Sequence, residues 1–444
     1  MHPVIQKLLT HKICLYLFLL AFQLLILVLP LVFIPNIFNP YELPKFIFFA
    51  VTAELLAIFF ALYWLLSKKK EVIFPKIDLG VIFVLSFGII NLISDLFGLN
   101  PITSILGNDF RHQGFITLLS GIVIFFLLRS PLLSQKMLPV FRKTAIVSAF
   151  LISLFALWQV VQINIFHNYT IATYNDRIVG TLGNPNFLGG YMAMLLPFAL
   201  WYRQKINKLL RLITILAITL TVFYTDSASS FIAITVLLII YLVRIFLFTK
   251  IGFSKIKSAV ILILIFCIGS AITIPFISKN FTLSQSLLLK DEERCFENWP
   301  DTYPLKTITD IRKTGNVFFK RDSPCDSRFL IWIGGLNALG KNPILGIGQD
   351  NFEFIIPKGL MYTVDNAHNI FLETAVSSGT IGLLLYLLIL SYAFRKSSFD
   401  IKMSLLAFVI IGQFNPLSIA QISLFWILLG LSQKENSKQN YSFK

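Results

Sequence analysis

One histidine, His368, lies where the longest polar stretch of the chain returns to an apolar segment. It opens the pattern His368-Asn369, nine residues, Gly379, two residues and Gly382. A neutral imidazole, with an unperturbed pKa of about 6.5, can remove the proton of a hydroxyl group near neutral pH. The position therefore favours general-base chemistry. The alternative is a histidine at the membrane surface that does no more than end a helix.

Three small residues follow the histidine along the same predicted helix. At 100° per residue, Ala375, Gly379 and Gly382 lie within about 40° of the histidine around the helix axis. Small residues allow a second membrane helix to approach closely. The stripe predicts tight packing that fixes the direction of the imidazole. Glu373 lies about 140° away and is not expected to be its partner through this helix.

Two arginines near the same membrane surface could bind phosphate. Arg177 stands just before the predicted sixth span, and Arg328 opens an amphipathic stretch of the long polar segment. A guanidinium group can bind phosphate oxygens through two parallel hydrogen bonds. For each arginine, the alternative is snorkelling to the membrane surface or a salt bridge with the nearby acid, Asp176 or Asp326.

Composition places these residues in a membrane protein. Hydrophobic residues make up 56% of the 444 residues and charged residues only 14%, which is unlike a soluble domain of this length. Apolar runs near 20 residues long recur, and each could cross about 30 Å of hydrocarbon. The predicted spans are about 13–34, 46–66, 79–98, 114–130, 144–162, 187–202, 209–225, 230–249, 258–278, 369–394, 401–415 and 416–432. We therefore predict an all-α, polytopic membrane protein with about twelve transmembrane helices.

The net charge of +16 reflects membrane topology rather than a nucleic-acid partner. With a cytoplasmic N-terminus, the inner segments hold 24 Lys and Arg residues, whereas the short outer loops hold only Lys45, Arg111 and Arg177. The long segment before the tenth span carries the other 11, but long loops are translocated largely regardless of charge. The chain is therefore expected in the cytoplasmic membrane, with His368 on the extracytoplasmic face.

The spans divide the chain into three parts. They are membrane helices one to nine (1–278), a large extracytoplasmic loop (279–367) and membrane helices ten to twelve with a cytoplasmic tail (368–444). Within the loop, a short amphipathic helix is predicted from an N-cap at Asp326-Ser327 to Gly340. The pair Gly346-Ile-Gly348 lacks the third glycine and preceding strand of a dinucleotide site, so we expect a tight turn there and no cofactor.

Cysteine usage leaves one question open. Cys295 and Cys325 both lie in the predicted outer loop, where they could form a disulfide or remain two free thiols. Neither has a second Cys or His at ligand spacing, so no zinc or other metal site is expected.

Three stretches resemble the O-antigen ligase and polymerase superfamily of bacterial envelope glycosyltransferases. They are Arg177–Gly190, Arg328–Trp332 leading to Asn342–Gly348, and His368-Asn369 with Gly379 and Gly382. Together with the span count and the large outer loop, the resemblance extends over approximately residues 170–395. The N-terminal helices are not specific to the family.

The resemblance implies that a glycan is transferred from a polyprenyl diphosphate to an acceptor hydroxyl, with inversion and without a metal. His368 would be the general base, and Arg328 would bind the diphosphate. Further residues predicted to bind the diphosphate or other parts of the substrate are Arg177, Arg321, Asn184, Asn186 and Asn369. The acceptor would be a glycolipid, a glycan or a protein.

One departure concerns the turn between the seventh and eighth spans. Members of the family often have Ser-Arg-Gly there, and the resemblance implies that this arginine helps to bind the diphosphate. This chain has Ser227-Ala228-Ser229 instead. Either Arg177 or Arg321 could supply the missing charge, or the donor is bound differently.

A ligase is our first expectation, and two alternatives differ from it only in the acceptor: a repeat-unit polymerase and a protein O-oligosaccharyltransferase. A transporter or flippase is the alternative of another class. Its support is limited to Glu54 and Asp95, two ionisable residues inside the second and third spans. No internal repeat of the kind typical of transporters accompanies them.

Overall fold

The computed structural model describes residues 3–66, 75, 77–131, 133–166, 173–174, 177–201, 207–248, 327–355 and 364–432. The helices are α1 (Pro3–Leu27), α2 (Glu42–Leu66), α3 (Leu79–Leu96), α4 (Pro101–Leu106), α5 (Phe115–Arg129), α6 (Ser134–Asn164), α7 (Pro185–Trp201), α8 (Lys208–Thr225), α9 (Ala228–Phe248), α10 (Ser327–Lys341), α11 (Ile370–Lys396), α12 (Phe399–Gly412) and α13 (Ile419–Leu431). Short 3₁₀ turns cover Leu29–Leu31 and Phe352–Phe354. Two short antiparallel strands, β1 (Thr173–Tyr174) and β2 (Arg177–Ile178), form a hairpin before α7.

Six of the described helices (α1, α2, α3, α6, α8 and α11) are long and apolar enough to cross a membrane. The prediction of an all-α, polytopic membrane protein is therefore confirmed. Eleven of the twelve predicted spans lie on described helices, and the ninth (258–278) lies outside the described residues. Most of the predicted outer loop lies outside them too. The total of twelve spans and the place of the long loop therefore stay predictions.

The start of α2 corrects the interpretation of Lys45 as a loop residue. α2 begins at residue 42 rather than 46, and the side chain of Lys45 is fully buried. Its Nζ donates hydrogen bonds to the carbonyls of Val32 (2.8 Å), Tyr41 (3.1 Å) and Thr181 (2.8 Å). An ammonium group tolerates burial when all three of its hydrogens are bonded. Lys45 therefore joins the segment before α7 to the start of α2.

Two helices, α7 and α13, lie at the centre of the bundle. α7 packs against α6, α8, α9 and α12, while α13 packs against α2, α5 and α12. In α13 every residue except Ile422 is buried, as expected for a helix that is apolar on all faces. Thirteen residues span only about 20 Å, less than the hydrocarbon thickness, so the ends of α13 must be satisfied by protein. Ser418 and Gln421 form a capping box there, and Glu42 accepts the N–H of Ile419 at 2.7 Å.

Long-range contacts group the described loops into two sets, at opposite ends of the bundle. At one end, which we call the histidine end, long-range hydrogen bonds join the segments that precede α5, α7, α11 and α13. These bonds are Lys45–Thr181, Gln113–Leu417 and Arg111–Asp365. At the opposite end, the ion pairs are Arg142–Asp400 and Arg129–Asp78. The segments predicted to share a membrane face therefore do meet at one end.

α11 is broken at Gly379, which has φ 70° and ψ −174°. The carbonyls of Val376 and Ser377, which the break releases, accept the N–H groups of Ile347 and Gly348, both at 2.9 Å. A side chain at position 379 would collide with the Ile344 carbonyl, in addition to the strain of a positive φ. A backbone loop therefore fills the break in the helix.

This break changes the expected role of the small residues after His368. The neighbour of Gly379 is the loop before α11 rather than a membrane helix, and a Cβ at Gly382 would meet Ser378 of its own helix. His368 also precedes α11, so a helix-wheel angle measured from it does not apply. Ala375 is buried, as the stripe required. Gly379 is therefore needed for the backbone geometry of the break rather than for contact between two helices.

Candidate active site

His368 occupies a tight turn immediately before α11. Its backbone φ is 55°, in the left-handed region, and its N–H donates to the Asn366 Oδ1 at 2.8 Å. Asn369 is the N-cap of α11, with its Oδ1 accepting the N–H groups of Phe371 (3.0 Å) and Leu372 (3.1 Å). The helix therefore begins at Ile370, two residues after the histidine. The imidazole is left half-buried at the mouth of the helix.

Three neighbouring elements hold this turn in place. Glu373, in the first turn of α11, accepts the N–H of Ala367 at 2.7 Å. Trp332 of α10 donates its indole N–H to the Ala367 carbonyl at 3.1 Å. The Asn369 Nδ2 donates to the side-chain and backbone oxygens of Gln413, after α12, both at 3.3 Å. The backbone around His368 is thus bonded to α10, α11 and the end of α12.

A partly buried ion pair ties the histidine turn to the loop before α5. The Arg111 guanidinium binds both oxygens of Asp365, with Nε 2.7 Å from Oδ2 and Nη2 3.2 Å from Oδ1. Burial by itself would lower the pKa of Arg111, but the Asp365 carboxylate outweighs it, so the pKa is raised. The guanidinium also lies 5.4 Å from the ring centroid of Phe187 in α7. Both charges are therefore paired within the protein.

Asp350 is a buried acid that joins the loop before α11 to the loop before α5. Its Oδ2 accepts the N–H groups of Asn108 (3.0 Å) and Gln113 (2.7 Å). Burial raises the pKa of Asp350 to about 7, against the effect of these two donors. Its protonation state therefore changes near neutral pH, and its carboxyl interacts electrostatically with Asp365, three residues before His368.

Replacing Asp350 with asparagine should preserve the fold and reduce its sensitivity to pH. Both N–H groups bond to one oxygen, which a carboxamide can supply, and asparagine tolerates the φ of 54° at this position. In the wild type the folded-state pKa of about 7 exceeds the ordinary 3.8, so stability falls as pH rises between those values. Between pH 5 and pH 8, the free energy of unfolding in detergent should fall by roughly 2–3 kcal/mol more in the wild type than in Asp350→Asn. Equal pH dependence of the two proteins would contradict this prediction.

Arg177 lies beside the turn in which the family arginine is missing. From β2, its Nε donates to the Thr225 carbonyl at 2.7 Å, three residues before Ala228. Its Nη2 donates to the Asn186 Oδ1 at 3.2 Å, while Asn184 accepts the N–H of Asn186 at 2.9 Å. The two asparagines therefore order the start of α7 and orient Arg177.

The turn itself is polar and mostly buried. Asp226 has φ 47°, and burial raises the pKa of its carboxyl while Arg177 opposes that shift. Ser227, Ser229 and Ser230 are buried, whereas Ala228 is exposed at the start of α9. Asn415, before α13, donates a hydrogen bond to Ser229. The Arg177 guanidinium and the first turn of α9 are thus neighbours.

Arg328 lies in the first turn of α10, as predicted from its position after Ser327. It precedes Trp332, whose indole bonds to the histidine turn, by four residues. The side chains of residues 327–330 lie outside the described part of the structure. Arg321, Cys295 and Cys325 lie outside it entirely, so their proposed roles and pairing stay predictions.

The two acids that suggested a transporter have different surroundings. Glu54 is near the middle of α2 on its exposed face. Asp95 is fully buried at the end of α3, and its Oδ1 accepts the N–H of Gln349 at 2.7 Å. Asp95 thus joins α3 to the loop before α11. The two do not form an internal polar path.

A cavity of about 150 Å³ lies directly beside the histidine turn. Its lining includes Asn366 and Ile370, which flank His368 in sequence, and Glu373. Other polar lining residues are Gln113, Thr117, Gln349, Thr374 and Asn415, and the aromatic ones are Phe87, Tyr386, Phe408, Phe425 and Trp426. The cavity is therefore polar near the loops and aromatic towards the helices.

Sequence reasoning missed four residues that organise this site: Arg111, Asp350, Asp365 and Glu373. Arg111 was interpreted only as a marker of topology. Asp365 stands three residues before the histidine, and that proximity was the one available signal. Nothing local indicates that Arg111 is its partner, because 254 positions separate the two.

Comparison with known proteins bears on the middle of the chain. Residues 212–387 match the family model described as O-antigen ligase. This segment contains Arg328 and the histidine turn, while Arg177 precedes it. For this segment, the predicted resemblance to the O-antigen ligase and polymerase superfamily is thereby confirmed. No curated protein matches the chain.

Proposed function

We propose that this protein belongs to the O-antigen ligase and polymerase superfamily and transfers a glycan from a polyprenyl diphosphate to an acceptor hydroxyl. In the proposed step, the neutral imidazole of His368 accepts the hydroxyl proton as the acceptor oxygen attacks the anomeric carbon. The bond from that carbon to the phosphate oxygen breaks, and its electron pair leaves with the lipid diphosphate. Attack opposite the leaving group inverts the configuration.

The leaving group determines what else the site needs. A diphosphate is already a good leaving group, so positive groups that bind its developing charge can replace both a metal ion and a general acid. In this proposal Arg328 and Arg177 bind the diphosphate. Arg177 belongs to this set because its guanidinium reaches the turn in which the family arginine is replaced by Ala228.

The observation that carries the proposal is the anchoring of the His368 turn beside a cavity. Hydrogen bonds with Trp332 and Glu373 fix the Ala367 backbone before the imidazole, and the Asn369 side chain after it donates to Gln413. A general base must be positioned before substrate binds, because its effect depends on hydrogen-bond distance to the reacting proton. A histidine that only ended a helix would need no such anchoring.

We place the reaction at the extracytoplasmic face of the cytoplasmic membrane. The opposite end of the bundle carries Arg129, Arg142 and Lys396, and the positive-inside rule assigns such an end to the cytoplasm. The histidine end would then face the outside, where lipid-linked glycans are displayed.

Reconstitution tests this function directly. Purified protein in vesicles would receive a polyprenyl-diphosphate glycan and a panel of acceptors: a glycolipid, a second lipid-linked glycan and a serine-containing peptide. Transfer to the glycolipid identifies a ligase, chain extension a polymerase, and peptide labelling a protein O-oligosaccharyltransferase. Movement of the donor across the bilayer with no transfer to any acceptor would contradict the proposal and favour a flippase.

Arg328→Lys should weaken binding of the donor about tenfold and slow transfer, because an ammonium group cannot form the two parallel hydrogen bonds of a guanidinium. Lys341, at the other end of α10, is exposed, so Lys341→Gln serves as the matched control and should bind the donor normally. Binding of polyprenyl diphosphate to both variants checks the prediction. An unchanged dissociation constant for Arg328→Lys would exclude a bidentate contact.

A further inference from the structure

We propose that the cavity beside the His368 turn binds the acceptor, taking the single sugar ring whose hydroxyl group is attacked. This inference rests on the proposed function and names the substrate portion that the cavity holds. The cavity lies between α3, α5, α11, α12 and α13, with Asn366 and Ile370 at the histidine turn forming part of its wall.

The lining has the two chemical features that a sugar ring requires. The lining includes amide and carboxyl groups, which can donate hydrogen bonds to a ring's hydroxyl groups or accept them; these belong to Gln113, Gln349, Asn366, Glu373 and Asn415. Aromatic rings of Phe87, Tyr386, Phe425 and Trp426 supply flat apolar surface for its C–H faces. An isoprenoid chain offers no donor to a polar group of the lining that lacks a protein partner, whereas a sugar hydroxyl does.

One polar atom of this lining lacks a protein partner. The Gln349 Nε2 donates to the Asn91 Oδ1 at 2.8 Å, but its buried Oε1 has no hydrogen-bond partner among the described residues. Buried amide oxygens are seldom left unbonded. A hydroxyl group of a bound ring would satisfy this oxygen.

The cavity is small enough to select one ring. Sites that enclose drug-sized ligands occupy roughly 300–1,000 Å³, and this one is about 150 Å³. An oligosaccharide could therefore insert only its terminal residue. The rest of the acceptor would remain outside the helices.

The position of the cavity relative to Arg177 separates acceptor from donor. Arg177 donates hydrogen bonds at the end of α8 and at the start of α7, whereas the cavity is lined by α3, α5 and α11. Asn415 lines the cavity and donates to Ser229 beside the Arg177 turn, so it lies between the two regions. Inversion requires the attacking oxygen and the diphosphate to lie on opposite sides of the anomeric carbon, and this arrangement supplies two sides.

A binding experiment that needs no catalysis tests the assignment. Trp426 lines the cavity, so its fluorescence should change when methyl hexosides or methyl N-acetylhexosaminides are titrated into the full-length protein in detergent. Trp426→Phe should lose most of that change. Polyprenyl diphosphate without sugar and free polyprenol serve as the competing probes.

Two variants and one control then locate the sugar. Thr374 lines the cavity, and Thr374→Leu fills part of it, so its dissociation constant for the methyl glycoside should rise at least tenfold. Gln349→Met should raise it severalfold, and neither variant should alter polyprenyl diphosphate binding. Thr235 is the matched control, because it makes the same i−4 carbonyl bond in α9 (2.8 Å) as Thr374 does in α11 (2.7 Å) without lining the cavity. Thr235→Leu should bind all probes normally.

Two results would overturn the assignment: a Trp426 signal produced by polyprenol but not by the glycosides, or glycoside binding unchanged in both cavity variants. Failure of the proposed function looks different. In that case the wild type would transfer no glycan from any donor, whereas the fluorescence titration would still report whether a sugar occupies the cavity.

Discussion

Replacing His368 with asparagine should abolish glycan transfer while leaving binding of the lipid-linked donor intact. General-base catalysis contributes about 10²–10⁴-fold to a rate, so transfer should fall by at least about 100-fold. Asparagine is preferable to alanine, because the backbone φ of 55° is one that asparagine adopts readily and alanine does not. The Asn366 bond to the backbone N–H should also survive the substitution.

The chain contains its own control for this experiment. His112 lies at the same end of the bundle, also has a positive φ (52°), and stacks on Phe46 with ring centroids 5.4 Å apart. His112→Asn should therefore make the same chemical change without touching the proposed base, and transfer should continue. Single-turnover transfer and donor binding would be measured for both variants. Normal transfer by His368→Asn would eliminate it as the base.

The pH profile adds a separate check on His368. The base must be neutral, so the rate should rise with pH as the imidazole loses its proton. Asp350 titrates close by, with a pKa of about 7, and could produce a similar inflection. A profile that persists in Asp350→Asn would assign the inflection to a group other than Asp350.

The membrane fold could be predicted because its signals are local. Apolar run length locates spans, and Lys and Arg near their ends set the orientation, without any knowledge of tertiary contacts. The boundary at His368 could have been predicted better. An asparagine before an apolar run is a common N-cap, which would have placed His368 outside α11. Its left-handed backbone left no local signal, since it depends on the bond to Asn366.

The rest of the site depends on contacts that a single sequence does not reveal. Arg111 and Asp365 are far apart along the chain. From the sequence alone, an arginine at the membrane surface cannot be distinguished from one that forms a partly buried ion pair. Gly379 illustrates the same limit. Close helix packing and a positive φ both require glycine, so the pattern predicted the residue's importance but not its physical cause.

Replacing Arg177 with glutamine should weaken donor binding about 10- to 100-fold, and adding Ala228→Arg should restore most of it. A hydrogen bond to a charged group contributes about 1.5–3 kcal/mol, which corresponds to that range. Arg177 reaches the turn before α9 from β2, whereas an arginine at 228 would start from the turn itself. Ala228 is exposed, so the longer side chain can be accommodated without displacing the buried serines beside it.

The double variant Arg177→Gln/Ala228→Arg distinguishes an effect on donor binding from an effect on folding. Arg177 also bonds to Thr225 and Asn186, so its loss could lower the melting temperature as well as the affinity. An arginine at 228 would return the positive charge to the turn without rebuilding those two bonds. Binding should therefore recover in Arg177→Gln/Ala228→Arg even where the melting temperature does not. Ala228→Lys should restore less, because an ammonium group does not bind a diphosphate in bidentate fashion. A double variant that binds polyprenyl diphosphate no better than Arg177→Gln alone would place the diphosphate elsewhere.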